Sequence, residues 1–524
     1  MTNSIADLSG ADCIFIIGSN AAESHPIIMG EMYTAADRGA TIIVVDPRRT
    51  AVADNADIHL RIQPGTDIPL IAGMMRHIID EGLYDTTFVD ERVEGFAQLQ
   101  QFVEEWPLEK ASAECGIDAG TIRRIAERYA TAHESAVVYC MGITQHVCGS
   151  ANVIALCDLA MLCGHVGTEH SGVYPLRGQN NVQGACDMGA LPNVYPGYQS
   201  VSDPEIREKF QEAWGRKLSD RPGLTVTEMI AAAGSKIRAL YIMAENPAMS
   251  DPDSSHVVKS LEAFDFLVVQ DIFMTETAKY ADLILPGGSF AEKTGTFTNT
   301  ERRFQLVRKA VDPPGEAKDD FAVLCLLGNA LDLDFSYRNP GAVMEEIAFL
   351  TPAYGGISFE RLEHVGLQWP CPHDEHPGTP FLHKGRFTRG KGQFVVPEYA
   401  PPREMPDEEY PYFLSTGRMF AHFHTGTMTR RSPFLQRETE EAYAEISPGD
   451  AAELGVGNGD DVKISTRRGS IVIPARVTDR VMKRYIFIPF HFAEARANLL
   501  TNPVFDPQAK TPEFKVCAAR MERV

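Results

Sequence analysis

CIFIIGSNAAES, residues 13–24, opens with five apolar residues, breaks at Gly18 and then turns polar. A run this short, closed by glycine and followed by a helix-length segment, reads as a strand of a parallel sheet buried on both faces. Ile27 to Arg38 supplies the helix. A second run, TIIVV at Thr41 to Val45, ends on Asp46-Pro47. A third, Ile58 to Ile62, leads into Pro64-Gly65-Thr66-Asp67 and a helix from Pro69 to about Asp80. Thr121 to Thr131 reads as another helix, and AVVYCM, Ala136 to Met141, as a buried strand ending at Gly142. Such alternation predicts βαβ units, whose ligands sit beyond the carboxyl ends of the strands. Gly18, Asp46 and Gly142 all lie on that edge.

The pattern recurs further on. Ile237 to Met243 reads as a strand ending at Ala244-Glu245-Asn246-Pro247, Phe264 to Val269 as one ending at Gln270-Asp271, and Leu283 to Leu285 as one closed by Pro286-Gly287-Gly288. PEYAPPREMPDEEYP, Pro397 to Pro411, has the composition of a linker. Beyond it Val462 to Thr466, Ser470 to Pro474, Arg476 to Thr478 and Tyr485 to Phe490 are short, closely spaced strands, with tight-turn glycines in GVGNGDD, Gly455 to Asp461. That spacing predicts a small β-barrel. The expected architecture is α/β, with two Rossmann-like domains over residues 1–178 and 179–400 and a C-terminal β-barrel domain over 401–524.

Length agrees with several domains: 524 residues exceed one core at ~150 residues per domain. Apolar residues make up 44% and charged residues 23%, the balance of an ordinary globular protein. With 49 basic against 71 acidic side chains, the formal net charge is −22. That sign argues against general nucleic-acid binding and against docking on anionic lipid, so an anionic substrate needs a local cation. No stretch reaches the ~18 apolar residues of a membrane span, and the polar start MTNSIADLSGAD does not read as a signal peptide. The ten cysteines form no CxxC, so no local iron–sulfur or zinc set is expected, and a reducing, cytoplasmic setting is.

Each strand-end loop allows two readings. The Gly18–Ser24 loop either cradles a phosphate on backbone N–H groups or is a simple capped turn. Asp46 either takes two ribose hydroxyls or serves as a helix cap or a partner of Arg48. Asp67 either binds the amino–imino edge of a guanine or caps the helix that follows. Glu245 and Asp271 repeat the arrangement, implying two nucleotides or one cofactor with two nucleotide tails. The segment RGQNNVQGACDMG, Arg177 to Gly189, packs polar side chains and three glycines into thirteen residues. It is either a solvated linker or a strip whose amides a polar ligand satisfies. Arg177 leads it with a planar fork that matches a carboxylate.

MGITQ (141–145), LAMLCGHVGTEHSGVYPLRGQNNVQGACDMGALPNVYPGY (159–198), VVQDIFMTETAKYADLILP (268–286) and TPEFK (511–515) resemble formate dehydrogenase catalytic subunits, of the bis-pterin molybdenum or tungsten family in the DMSO reductase superfamily. The resemblance runs from Met1 to Val524. It implies two pterin guanine dinucleotides sandwiching Mo or W, one on each α/β domain, beneath the barrel. By resemblance Gly18, Asn20, Glu23, Ser24, Asp46, Arg48, Gly65, Asp67, Met141, Gly142, Gln145, Gly178 and Gln179 hold one dinucleotide. Glu245, Asn246, Gln270, Asp271, Asp320, Arg418, His422, His424, Phe514 and Lys515 hold the other. Ala244 stands where a glycine is usual, and Met419 where an acid is common.

Formate dehydrogenases of this family begin with a cysteine-rich [4Fe–4S] domain, a relaying lysine, a selenocysteine or cysteine metal ligand and an adjoining histidine, none of which has a counterpart here. Met1 aligns just downstream of the metal ligand, so no residue of this chain is expected to ligate the metal. The [4Fe–4S] cluster is expected in a front segment, either a separate chain or one preceding an in-frame UGA read as selenocysteine, or in a partner. The resemblance implies reversible oxidation of formate to CO2, with Arg177 holding the carboxylate and an iron–sulfur or flavin beta subunit taking the electrons. A related enzyme such as a nitrate reductase, and a cofactor-binding scaffold subunit without metal, are the alternative readings.

Overall fold

The computed structural model describes residues 1–524. β1, Cys13–Ile17, is buried at all five positions. Its alternate side chains serve two cores: Cys13, Phe15 and Ile17 point into one, Ile14 and Ile16 into the other. Parallel β2, Thr41–Val45, and β3, Ile58–Leu60, lie on one side of β1. β4, Ser135–Tyr139, and β5, Gly172–Pro175, lie on the other, so the five-stranded order is β3-β2-β1-β4-β5. Helix α1, Pro26–Asp37, carries proline at its start, where no N–H is needed, and buries Ile28, Met29 and Met32 on the Ile14 face. Helix α2, Asp67–Asp80, and helix α3, Ala119–Thr131, cover the Phe15 face. The Asp118 carboxylate caps α3, accepting from Thr121 N at 2.9 Å. The apolar run near Ala151 becomes the buried helix Gly149–Leu162.

The chain divides into two compact units, residues 1–178 with 250–254 and 381–524, and residues 179–249 with 255–380. Residues 381–400, assigned by sequence to the second domain, fold instead with the first. Phe387 and Phe394 are buried in the first lobe's core, and Phe394 N donates to Glu94 O at 2.9 Å. Aromatic burial outweighs chain proximity there.

In the second unit β6, Ala239–Met243, β7, Phe266–Asp271, and β8, Leu283–Pro286, form a parallel sheet in the order β8-β7-β6. Leu267, Val269 and Ile242 are buried on one face. Met243, Phe266 and Leu283 on the other are each more than 40% exposed.

In the first unit six strands close a barrel: β9, Tyr412–Gly417; β10, Ala444–Ile446; β11, Asp461–Ser465; β12, Ser470–Val477; β13, Tyr485–Pro489; and β14, Cys517–Arg523. They close in the order β9-β13-β10-β12-β11-β14. The two strands expected on either side of Pro474 are one. β12 pairs with β11 as far as Pro474 and with β10 from Ala475, so the proline marks a change of partner rather than a break. The Pro-rich linker forms no helix or strand but is pinned to the barrel. The Glu404 carboxylate takes both guanidinium nitrogens of Arg468, at 2.9 and 2.8 Å, and Ala518 N at 3.2 Å.

Candidate functional site

β1 and β4 run side by side and end together, bringing Gly18 against Gly142. Gly142 N donates to Gly18 O at 3.0 Å. A Cβ on Gly142 would stand 2.4 Å from Gly18 Cα, and one on Gly18 2.7 Å from the Gly142 carbonyl carbon. Only glycine allows this approach of the two backbones at the sheet's carboxyl edge. The loops after these two strands carry buried polar atoms without a partner: Ser19 Oγ, Asn20 Oδ1 and His25 Nδ1 after β1, and His146 Nδ1 after β4.

Acids and cations meet at the same edge. Asp46 ends β2 and accepts from Arg48 N at 2.9 Å, and burial pushes its carboxyl up to about 6. Asp67 opens α2 and caps nothing with its side chain, whose carboxyl burial pushes up to about 7. His146 Nε2 lies 3.9 Å from it and 2.8 Å from Gly142 O, and burial lowers that ring to about 4. From the barrel, Lys515 donates to Thr416 O at 2.5 Å, and burial lowers its ammonium to about 8. The Arg418 charge acts in the same direction, whereas Cys140 and Asp46 oppose it.

Arg418 reaches Gly178, where a Cβ would meet its terminal nitrogen at 2.7 Å, and hydrogen-bonds the ring of His424. His424 has φ 49°, and its ring is lowered to about 3, by burial first and then by the Arg418 charge. His491 Nε2 accepts from Met419 N at 3.1 Å and its Nδ1 donates to His424 O, which fixes one neutral tautomer. His422 is buried, with Nε2 donating to Thr439 O at 2.9 Å.

The remaining expected residues fall into place less directly. Arg48 is buried and commits its guanidinium to Glu445 at 2.6 and 2.8 Å, so its partner is a barrel carboxylate rather than Asp46's. Glu23 and Ser24 cap the Asn20 turn through their N–H groups, at 3.2 and 3.0 Å from Asn20 O. Met141 starts the turn whose Gln145 carbonyl takes Lys515 N at 3.3 Å, and Phe514 O accepts from Thr416 Oγ1 at 3.3 Å. Gly65, at φ 81°, packs on Pro402. Gln179 is exposed.

The second expected set divides between the units. Arg418, His424, Phe514 and Lys515 belong with the first lobe, whereas Glu245, Asn246, Gln270, Asp271 and Asp320 line the carboxyl edge of β6–β8. There Gln270 donates to Asp320 at 2.6 Å, and Lys293 pairs with Asp320. Asn246 spends its side chain on Thr277 and Glu276, at 2.7 and 2.8 Å. Asp271 accepts from Ile272 N at 2.7 Å, and Glu245 is exposed. Ala244 has φ 55°, the left-handed conformation a glycine adopts without strain.

His25, Cys140, His146, Glu445 and His491 were not singled out in the sequence. His25 and His146 directly adjoin residues that were, so a polar side chain beside a strand-end loop was the signal available. Glu445 and His491 carried no signal, because their partners lie far away in sequence.

Family comparison agrees with this geometry. The molybdopterin oxidoreductase model matches residues 1–330, and the molydopterin dinucleotide binding domain matches residues 412–518. The chain belongs to the molybdopterin oxidoreductase family. Its two matched regions contain the Gly18 and Gly142 strand ends and the barrel cations respectively. This molybdopterin oxidoreductase chain is 51% identical over its full length to the alpha subunit of an F420-dependent formate dehydrogenase from Methanocaldococcus jannaschii, covering 78% of that protein. It is 39% identical, again over its full length, to formate dehydrogenase H of Escherichia coli, covering 74% of it. Among solved structures, acetylene hydratase from Pelobacter acetylenicus matches with a TM-score of 0.80 at 22% identity, over all of this chain and 79% of that one, a likeness of fold. No helix is long and apolar enough to cross a membrane.

The residues present fit a pterin dinucleotide. Buried atoms of Ser19, Asn20 and His25 have no partner within the chain, and the half-buried cations Arg418 and Lys515 would offset phosphate charge. Asp67 supplies an expected pH effect. Its raised pKa means the folded state binds the proton more tightly than the unfolded chain. The associated stability is therefore full below the ordinary carboxylate range and lost as pH rises through about 7. Asp67→Asn in the cofactor-free protein is expected to raise the urea midpoint over wild type, by an amount that grows from about pH 5 to about pH 8. A difference that does not grow would contradict the assignment.

Proposed function

We propose that this chain is the catalytic-subunit portion of a formate dehydrogenase, interconverting formate and CO2 at a bis-pterin guanine dinucleotide centre of Mo or W. The observation that carries the reading is Arg177, whose neighbour Gly178 lies against the cation Arg418, in a chain 51% identical to a formate dehydrogenase alpha subunit. When bound, the metal–pterin group supplies the two-electron redox chemistry. Arg177 binds the formate carboxylate through its planar fork and directs the C–H bond toward that group, a contribution of proximity and electrostatics. Arg418 and Lys515 neutralise pterin phosphate. Gly18, Asn20, Ser24 and Gly142 present backbone and amide partners to one dinucleotide. Gln270, Asp271 and Asp320 do the same for the other.

The metal ligand and a [4Fe–4S] cluster belong to a front segment or partner, and an iron–sulfur or flavin subunit takes the electrons. The ten cysteines form no disulfide, which supports a reducing, cytoplasmic setting. The test assays the native holoenzyme for formate-dependent dye reduction beside nitrate reduction, with metal analysis. Formate turnover with Mo or W present is expected. Nitrate reduction alone, or a complex without metal, would overturn the reading.

A further inference from the structure

Three consecutive backbone positions leading into the polar strip are tied down separately. Leu176 N donates to Tyr139 O at 2.8 Å, and the Cys140 thiol donates to Leu176 O at 3.0 Å. The ring of His25 holds Arg177 O at 2.6 Å through Nε2, and His424 hydrogen-bonds the Gly178 backbone. A carbonyl only accepts, so Nε2 of His25 carries the proton. The neutral ring then presents Nδ1 as a bare acceptor. That atom is buried, and no donor of this chain reaches it.

Burial keeps the ring neutral, and the facing Arg418 charge acts in the same direction. Leucine would fill the volume without leaving an acceptor stranded, and Leu176 and Gly178 already hold the backbone on either side. Carrying a histidine here costs the desolvation of Nδ1 unless something outside the chain donates to it. The neighbouring unpartnered Asn20 and Ser19 oxygens lie in the same loop.

We propose that His25 is a positioning residue for Arg177, with its Nε2–H fixing the Arg177 carbonyl and its Nδ1 accepting a hydrogen bond from an N–H of the bound pterin dinucleotide. The inference rests on the formate dehydrogenase reading. It adds a link: the cofactor orients the His25 ring, and the ring sets the root of the substrate-binding arginine. A loosely held cofactor then loosens Arg177 as well.

The test compares His25→Leu and His25→Gln in the purified native holoenzyme, with two readouts: pterin retained per chain after dialysis, and formate kcat/KM. His25→Leu is expected to weaken pterin retention and formate kcat/KM, each by roughly tenfold. Glutamine offers both an N–H and a carbonyl, so His25→Gln should recover most of both. In an Arg177→Ala background, His25→Leu should still cost pterin but add nothing further to the loss in kcat/KM per bound pterin. Full pterin retention in His25→Leu, equal damage in both variants, or an undiminished kcat/KM effect without Arg177 would each overturn the proposal. Absence of formate turnover in the wild type would overturn the formate reading instead, and the pterin readout would still judge the His25 contact.

Discussion

Arg177→Ala is expected to lower formate kcat/KM on the order of 100- to 1000-fold while pterin content stays at the wild-type level. Formate is a small anion approaching a chain of net charge −22, so its binding depends on a local cation. Arg177 follows β5, and its backbone is held by His25 at 2.6 Å. Its guanidinium can take both carboxylate oxygens at once, which fixes the direction of the C–H bond as well as the charge. Lysine supplies charge without the fork, so Arg177→Lys should recover only part of the loss. Steady-state kinetics with formate, paired with pterin release assays on the same samples, decide the matter. Turnover near the wild-type rate in Arg177→Ala would remove Arg177 from the substrate-binding role.

Glu445→Ala is expected to destabilise the first unit by about 3–5 kcal/mol, the cost of stranding a buried charge. Arg48 and Glu445 side chains are only 8% and 3% exposed, and the guanidinium lies 4.2 Å over the Phe487 ring. Burial works against the Arg48 charge, but the Glu445 carboxylate prevails and holds it protonated. Without Glu445 that charge has no carboxylate in hydrogen-bond contact. The joint replacement Arg48→Met with Glu445→Leu should recover most of the lost stability, because it removes both charges and keeps the volume. Urea unfolding of the cofactor-free chain measures both variants. A Glu445→Ala protein within about 1 kcal/mol of wild type would show that the pair contributes little.

Local pattern made the strand-end edge legible. An apolar run that stops at Gly18, Asp46 or Gly142 must place its next residue at the carboxyl end of a parallel sheet, whatever surrounds it. The same logic located Gln270 and Asp271. It could not show that Arg48 belongs to Glu445, almost 400 residues away, nor that His491 fixes the His424 backbone. Nor could it show that Arg418 of the barrel meets Gly178 of the first lobe. It was equally silent on residues 381–400, whose two buried phenylalanines choose a core rather than a chain neighbour.

Reading the chain residue by residue was enough for the class of the fold and for the sheet edges on which the strand-end residues lie, and it singled out the arginine-led strip as the candidate carboxylate site. These depend on periodicity, turn chemistry and side-chain type, which are local. Only the tertiary structure decided which charges are neutralised, which histidines are held neutral and which backbone carbonyls they grip. Burial and partner identity arise from distant segments meeting, and a pKa or a hydrogen bond has no value until they do.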